Sequence, residues 1–459
     1  MTSLVLEEPR RAVATSPGID LVAVARYTLA ARRRRLARDL VLGVALVALI
    51  VGVLQWLTPV VWVAILGGWA ALYAEACVAR WGACAASLRS TVFTPSSAPQ
   101  HNGARAQRQL DHIARYSDGN VTVYQGFRPF TGYGVTSRSW SLMLDTTKPA
   151  FPDTPIESFT AAELNGRLRQ RINALDVPAV HVRNRLYISG EDVHHDRRLL
   201  PDPMGKPAAR VDESDLGALL ATPEDRARPY LTIEIISWKG EVVWSGFIRL
   251  VLSSTSLFVE VSYCVLPPLL RRYSNTDDLL LPPRPLPVLA VAGMSVLRLP
   301  IALLACVPAA AQQLLSGIRE WLKAIRDRRA IRRAYTVNRG ALICVREAAT
   351  DMRSKDDQPL GYHRYFQLID HERYTKVVDK RILHTVGDFL AEKNIDRDEL
   401  NARGELIINS SVNIGGNATL LNSSIGGMRA NTEVAFTGPQ RRTTLIRTLR
   451  RMIRRLSAT

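Results

Sequence analysis

The sequence predicts a membrane-anchored α+β protein, built from a two-helix transmembrane hairpin, an α+β cytoplasmic domain and a C-terminal, mainly helical domain with a short β element. Three observations support this prediction. Two long apolar stretches lie near the N-terminus, strand-like runs dominate residues 121–263, and a helical stripe follows residue 364. A chain of 459 residues has room for two or three packed units.

Most of the positive charge lies in three short stretches. Sixty Lys and Arg residues against 42 Asp and Glu give a net charge of +18. The basic N-terminal segment 1–39 carries a net +4, residues 319–333 a net +5 and residues 441–459 a net +7. Such clusters beside apolar segments are typical of contact with anionic lipids. Residues 100–246 hold equal numbers of basic and acidic side chains, so nucleic acid is not an expected partner of this region.

The cysteines do not predict a disulfide framework or a zinc site. They are odd in number, widely separated and never in a C-x-x-C arrangement, so we expect reduced thiols. They are Cys77, Cys84, Cys264, Cys306 and Cys344. Since no nucleophile motif or P-loop is recognisable either, no catalytic residue, metal site or cofactor is predicted.

Two apolar runs predict a transmembrane hairpin over residues 40–79. Residues 40–57 contain no charge and residues 60–78 contain only Glu75, and each run could cross about 30 Å of hydrocarbon as a helix. Pro59 marks the turn. Because arginines flank both outer ends, we expect both ends in the cytoplasm. The arginines predicted to contact lipid there are Arg32, Arg33, Arg34, Arg35 and Arg38.

Residues 100–283 are predicted to form the α+β cytoplasmic domain. A capping box at Thr160 and Glu163 starts a helix, and Lys239-Gly240 forms a tight turn between two strands. The predicted strands, rich in β-branched and aromatic residues, are 121–125, 140–145, 181–189, 230–238, 241–252 and 256–263.

Two stretches of this domain resemble binding motifs only superficially. The glycines at 126, 132 and 134 match neither the dinucleotide-binding nor the P-loop spacing, so an ordered turn is favoured. His194, His195 and Asp196 are the best metal candidates. Adjacent histidines point in different directions, however, and no third ligand follows at helical spacing, which favours a solvated loop.

A second apolar region covers residues 285–318 and precedes the basic stretch 319–333. Its length would allow a third span. A span would place the basic stretch outside, against the positive-inside rule. We therefore expect a re-entrant or interfacial segment, with the basic helix lying along the cytoplasmic lipid surface.

Residues 319–435 are predicted to form a helical domain with a β-hairpin. A helical stripe covers residues 364–393, and a near-repeat at 408–416 and 421–427 suggests two short strands. The tail 441–459 is predicted to be a basic amphipathic helix on the membrane surface, although docking on a protein partner or nucleic acid is the alternative. Its lipid-contact residues are Arg447, Arg450, Arg451, Arg454 and Arg455.

Three motifs resemble features of uncharacterised actinobacterial membrane proteins. They are Val-Tyr-x-Gly-x-x-Pro-Phe-x-Gly at 123–132, Leu-Pro-Pro-Leu at 266–269 and Tyr-Phe-Gln-Leu-Ile-Asp at 365–370. The resemblance covers most of the chain after residue 100. It implies no activity, because the motifs are structural rather than catalytic.

The sequence favours a non-enzymatic, membrane-anchored cytoplasmic scaffold or sensor in a bacterial cell membrane. The expected partners are anionic membrane lipids and an unidentified protein, with homo-oligomer formation also considered. Two alternatives stay open: a membrane-tethered, metal-assisted hydrolase that uses His194, His195 and Asp196, and a membrane-perturbing effector or channel built from the hairpin.

Overall fold

A computed structural model describes residues 10–409, apart from 90, 102, 178, 274–276, 278–282, 334–335, 343 and 351–360. Most of the predicted near-repeat and the whole tail 441–459, with its five arginines, therefore lie outside the described residues. Ile408 and Asn409, where the near-repeat begins, belong to the end of a helix.

The elements follow one another as helices, then strands with helices, then helices. The helices are α1 (Leu21–Leu54), α2 (Thr58–Trp81), α3 (Ala83–Ser87), α4 (Ala104–Ser117), α5 (Ala161–Asn173), α6 (Glu213–Ala221), α7 (Pro285–Arg332), α8 (Val345–Ala348), α9 (Tyr365–Glu392) and α10 (Asp398–Asn409). The strands are β1 (Val121–Tyr124), β2 (Val135–Asp145), β3 (Val180–Ser189), β4 (Ala227–Ser237), β5 (Val242–Leu252) and β6 (Ser256–Leu266).

The predicted hairpin corresponds to α1 and α2, which pack as an antiparallel pair. Pro59 lies in the first turn of α2, where its missing amide donor costs no helical hydrogen bond. The open backbone of Gly52 leaves space for Val61 near the turn. At the other end, Arg38 of α1 lies 3.6 Å from Glu75 of α2, so this carboxylate pairs with an arginine.

Helix α1 begins well before its apolar part. The side chain of Asp20 accepts a hydrogen bond from the amide of Ala23 at 2.9 Å and so caps the helix. The first turns then bury Leu21 and Ala25 against Ile113 of α4. From residue 21 onwards the basic N-terminal segment is therefore helix, and it joins the hairpin directly to the α+β domain.

The apolar region 285–318 belongs to one continuous helix, α7, of 48 residues. Leu299 and Leu303 pack against Leu42 and Ala45 of α1. Apolar side chains on α7 thus contact the hairpin helices, while the expected re-entrant or interfacial placement in the membrane stays a prediction. Three helices, α1, α2 and α7, are therefore long and apolar enough to span a membrane.

The chain contacts the α+β domain at Leu270, well before α7, and again near the C-terminus of α7. Before it, the amide of Leu270 donates to the carbonyl of Ala349 at 3.0 Å. Near its C-terminus, Arg10 donates to the carbonyl of Ala324 at 3.1 Å and lies 3.7 Å from Asp327. The basic end of α7 is thus held beside the domain. The positive-inside rule contains no information about such contacts.

The centre of the domain is one six-stranded mixed sheet in the order β1-β3-β4-β5-β6-β2. β1 pairs with β3 in parallel, and the other neighbours are antiparallel. The predicted turn at Lys239-Gly240 is confirmed: it joins β4 to β5 in a left-handed conformation, with φ of 54° and 88°. The α+β prediction is therefore confirmed for this region.

One face of the sheet carries the main apolar core. Helices α5 and α9 pack on it, with Leu168 and Ile382 fully buried against Ile233 and Val261. The capping box predicted for α5 is present, since the hydroxyl of Thr160 accepts from the amide of Glu163 at 3.2 Å. The apolar stripe expected over 364–393 is α9, and its buried side belongs to this core.

Candidate ligand site on the polar face of the sheet

The opposite face of the sheet, called the polar face below, is covered by loops rather than helices. Side chains alternate between the two faces of a strand, so the register assigns every second residue to this face. Those used below are Arg183, Arg185 and Tyr187 of β3, Arg228, Tyr230, Thr232 and Glu234 of β4, Ser245, Phe247 and Arg249 of β5, and Glu260, Ser262 and Cys264 of β6. Four arginines thus share the face with two glutamates.

Three aromatic side chains of the polar face, Tyr187, Tyr230 and Phe247, form an aromatic box. Phe130, from the loop before β2, fills it. Its ring stacks on Phe247 with centroids 3.9 Å apart and an interplanar angle of 14°, and it meets Tyr187 and Tyr230 edge-on at 5.4 Å each. These are favourable geometries for aromatic pairs. The box therefore holds one planar ring parallel to Phe247.

Arg185 lies beside the box and is buried without adequate partners. It is the cross-strand neighbour of Tyr230 and only 1% exposed. Its Nε lies 4.0 Å from an oxygen of Glu234, too far for a hydrogen bond. Among the described residues, its Nε and Nη1 find no hydrogen-bond acceptor. A buried charge with unbonded donors is costly, so this guanidinium is suited to receive an anion.

Glu234 does not neutralise Arg185, because other donors already engage it. Arg183 donates to its Oε2 at 3.0 Å, and the hydroxyl of Tyr133 donates to its Oε1 at 3.0 Å. Glu260 likewise has an arginine partner, because Arg249 lies 3.7 Å from its carboxylate. The two glutamates therefore balance two of the four arginines, and the polar face keeps a positive excess.

The tyrosines around Arg185 are neutral phenols at physiological pH. Burial raises the pKa of Tyr133 to about 12 and, with help from Glu260, that of Tyr230 to about 12. Burial opposes the charge of Arg185, whereas Tyr133, Glu234 and Tyr187 favour it and raise the pKa of Arg185 above its ordinary value; the two tyrosines do so only at the high pH at which they are themselves ionised. The site thus presents a permanent cation among uncharged hydroxyl groups.

A loop of residues 125–134, called the cover loop below, closes the polar face. Its C-terminal end is anchored, because Glu347 accepts hydrogen bonds from the amides of Gly132 and Gly134 at 2.8 and 2.9 Å. Gly132 has a φ of 102°, and a side chain there would collide with the carbonyl oxygen of Thr15. By contrast Phe127 is 98% exposed. The loop therefore joins a fixed base to an exposed tip.

Comparison with known proteins identifies a family for this chain. Residues 139–420, more than half of the chain, match the model of the AbeC-like domain. The chain belongs to the AbeC-like domain family. No curated protein and no solved structure matched the chain.

The AbeC-like domain contains most of the polar face. The match begins within β2 and includes β3 to β6, so Arg185, Glu234 and the aromatic box lie inside it. Phe130, the cover loop and helices α1 and α2 precede the matched residues. Of the motifs that resembled actinobacterial membrane proteins, those at 266–269 and 365–370 lie within the AbeC-like domain, and that at 123–132 lies before it.

The metal candidates near the start of the AbeC-like domain are not assembled into a site. His194 and His195 are exposed on a short 3₁₀ turn, and Asp196 is held by Arg198 at 2.8 Å. Across the part of the chain that the structure describes, no three His, Cys, Asp or Glu side chains are grouped to hold a metal. The hydrolase alternative, which would use His194, His195 and Asp196, stays a prediction.

The arginines predicted to contact lipid lie on α1, N-terminal to its apolar part. Arg33 and Arg35 are exposed, whereas Arg32, Arg34 and Arg38 are partly buried. Arg38 bonds the buried carboxylate of Asp39 at 2.6 Å. Lipid contact through this stretch stays a prediction, and Arg38 also has a structural role between the hairpin helices.

Sequence reasoning missed the polar face of the AbeC-like domain. The signal was present as alternation: Arg183, Arg185 and Tyr187 occupy every second position of one strand, and Tyr230, Thr232 and Glu234 do the same in the next. Polar residues alternating with apolar ones usually indicate a solvated face. The cover loop, which is remote from these strands in sequence, places Phe130 and Tyr133 over part of this face.

Proposed function

We propose that this chain is a non-enzymatic, membrane-anchored sensor of a small anion, with its AbeC-like domain in the cytoplasm of a bacterium. The observation that carries the proposal is the guanidinium of Arg185, which is buried and, within the described part of the chain, has no hydrogen-bond acceptor at two of its nitrogens. A structural arginine in a finished core would be paired. A sensor fits this geometry better than a scaffold, because binding an anion would remove an energetic cost that the free protein bears.

The connection to the membrane supports sensing. Helix α1 runs without interruption from the soluble domain into its apolar part, and α7 returns from its apolar part to Asp327 beside Arg10. A change around the polar face therefore has two continuous helices through which to reach the membrane-embedded residues.

The remaining parts of the proposal concern the membrane, the source and the partners of the protein. The bacterial cell membrane and an actinobacterial source are supported by the arginine-rich composition and the motif resemblance. Anionic lipids are the proposed partners of the arginine run at 32–35. A protein partner or a second copy of the chain would receive the signal.

The experiment that tests the proposal is ligand-induced stabilisation of the full chain in detergent micelles. Inorganic phosphate, pyrophosphate and a mononucleotide are added separately, and the unfolding temperature is recorded. At least one anion should raise it for the wild type and for Arg167→Met, a control whose arginine pairs with Glu392 at 2.7 Å away from the polar face. Arg185→Met should abolish the increase. If no anion gives an increase that depends on Arg185, the proposal fails.

A further inference from the structure

Phe130 is the cover-loop residue whose ring stacks inside the aromatic box, whereas Tyr133, at the base of the loop, meets Phe247 edge-on at 5.0 Å. It stacks on Phe247 between the edges of Tyr187 and Tyr230, yet it comes from a loop and is only partly buried. The walls of the box, by contrast, are on β3, β4 and β5 and almost fully buried. The box is therefore part of the rigid sheet, whereas the ring that fills it is carried by a surface segment.

The cover loop can release Phe130 without losing its base. Gly132 and Gly134 are fixed by Glu347, but these anchors lie after Phe130. At the other end, Gly126 has a φ of 84° and open space around it. Residues 125–128 are all exposed. Movement of the tip would thus withdraw Phe130 from the box, while the base keeps its hydrogen bonds.

We propose that Phe130 holds the place of a planar aromatic ring belonging to an anionic ligand, and that a mononucleotide is the ligand class that the site fits. The base would stack on Phe247 between Tyr187 and Tyr230, where aromatic contacts tolerate any base. The phosphate would pair with Arg185, whose Nε lies 4.0 Å from Glu234 and, like its Nη1, finds no hydrogen-bond acceptor among the described residues. This inference rests on the proposed anion-sensing function and adds that the anion carries an aromatic base.

The charges favour a nucleotide over an aromatic cation. An aromatic cage for a cation gains from the faces of its rings and from nearby free carboxylates. Here Glu234 is engaged by Arg183 and Tyr133, and Glu260 lies 3.7 Å from Arg249. The positive excess of the polar face would repel a cation and attract a phosphate.

The test measures the affinity of the full chain in detergent micelles by calorimetry. The probes are four mononucleotides (AMP, GMP, CMP and UMP), adenosine as a ring without an anion, and ribose 5-phosphate as an anion without a base. We expect at least one mononucleotide to bind more tightly than both adenosine and ribose 5-phosphate. Phe130→Ala should bind it about tenfold more tightly, equivalent to about 1.4 kcal/mol, because no internal ring has to be displaced. Phe127→Ala, an exposed position of the same loop, is the matched control and should leave the affinity unchanged.

Two outcomes would overturn the inference. If ribose 5-phosphate binds as tightly as every mononucleotide in both the wild type and Phe130→Ala, the ring makes no contribution, and Arg185-dependent anion binding alone would stand. If Phe130→Ala weakens mononucleotide binding, Phe130 contacts the ligand instead of occupying its place. Absence of binding by every anion would contradict both the inference and the proposed function.

Discussion

Replacing Asp379 with leucine should reveal how strongly α9 is bound to the sheet. The carboxylate is fully buried and accepts hydrogen bonds from Arg138 at 2.7 Å, from the indole of Trp140 at 2.7 Å and from the hydroxyl of Tyr263. Burial raises the pKa of Asp379, and Arg138 is the main opposing influence. Removing one partner of such a buried pair costs about 3–5 kcal/mol, since Arg138 keeps its charge and three donors lose their acceptor.

The assay is urea unfolding of the full chain in detergent micelles, followed by tryptophan fluorescence. Asp379→Leu is compared with Arg138→Met and with the double variant. The double variant should be more stable than the sum of the single losses predicts, because neither charge is then left alone. Asp388→Leu on the same helix is the control: its carboxylate is partly exposed and pairs only with exposed His384, so its loss should stay below about 1 kcal/mol.

The reasoning would be refuted by either of two results. A loss below about 1 kcal/mol for Asp379→Leu would mean that the buried pair contributes no more than a surface ion pair. Strictly additive losses in the double variant would mean that Arg138 and Asp379 act independently despite their 2.7 Å contact.

Three further predictions concern pH, topology and the tail. Burial lowers the pKa of His371 to about 4, so the unfolded chain binds a proton that the native state does not. Stability should therefore fall as pH drops from about 6.5 to about 4, by roughly 3 kcal/mol; urea midpoints that depend on pH equally in wild type and His371→Gln would contradict this. Reporter fusions at the N-terminus, near residue 110 and after residue 333 should all report cytoplasm. An external signal after residue 333 would mean that the end of α7 and Arg10 lie on opposite sides of the membrane. A peptide of residues 441–459 should become helical with anionic vesicles, much less with neutral ones, and should dissociate as salt rises; a peptide that stays disordered would favour a protein partner.

Much of the strand arrangement could be predicted because its signals are local. β4, β5 and β6 follow one another with tight turns, and the predicted runs 230–238, 241–252 and 256–263 nearly coincide with them. The capping box at Thr160 also needs only residues three positions apart. Such features depend on neighbours in sequence, which a single chain displays directly.

The rest depends on contacts between distant residues. The parallel pairing of β1 with β3 joins Val121 to Leu186, and no local pattern specifies that register. The third apolar helix illustrates the same limit: the positive-inside rule treats each segment separately, whereas the contact of Asp327 with Arg10 joins segments more than 300 residues apart. The candidate site was missed because Phe130 comes from a loop that is distant in sequence from the strands that form the box.

The outer edge of β1 forms hydrogen bonds with residues that are synthesised after all six strands. The amide of Ala341 donates to the carbonyl of Val123 at 2.9 Å, and Glu347 holds the cover loop. At about 5–20 residues per second, the 75 residues between Leu266 and Ala341 take about 4–15 s to synthesise, and α7 lies among them. During that interval the nascent sheet has an unpaired edge, which is prone to association with other chains. Delayed delivery of α7 to the membrane would lengthen this exposure, so the yield of folded protein should depend on how quickly the insertion machinery accepts that helix.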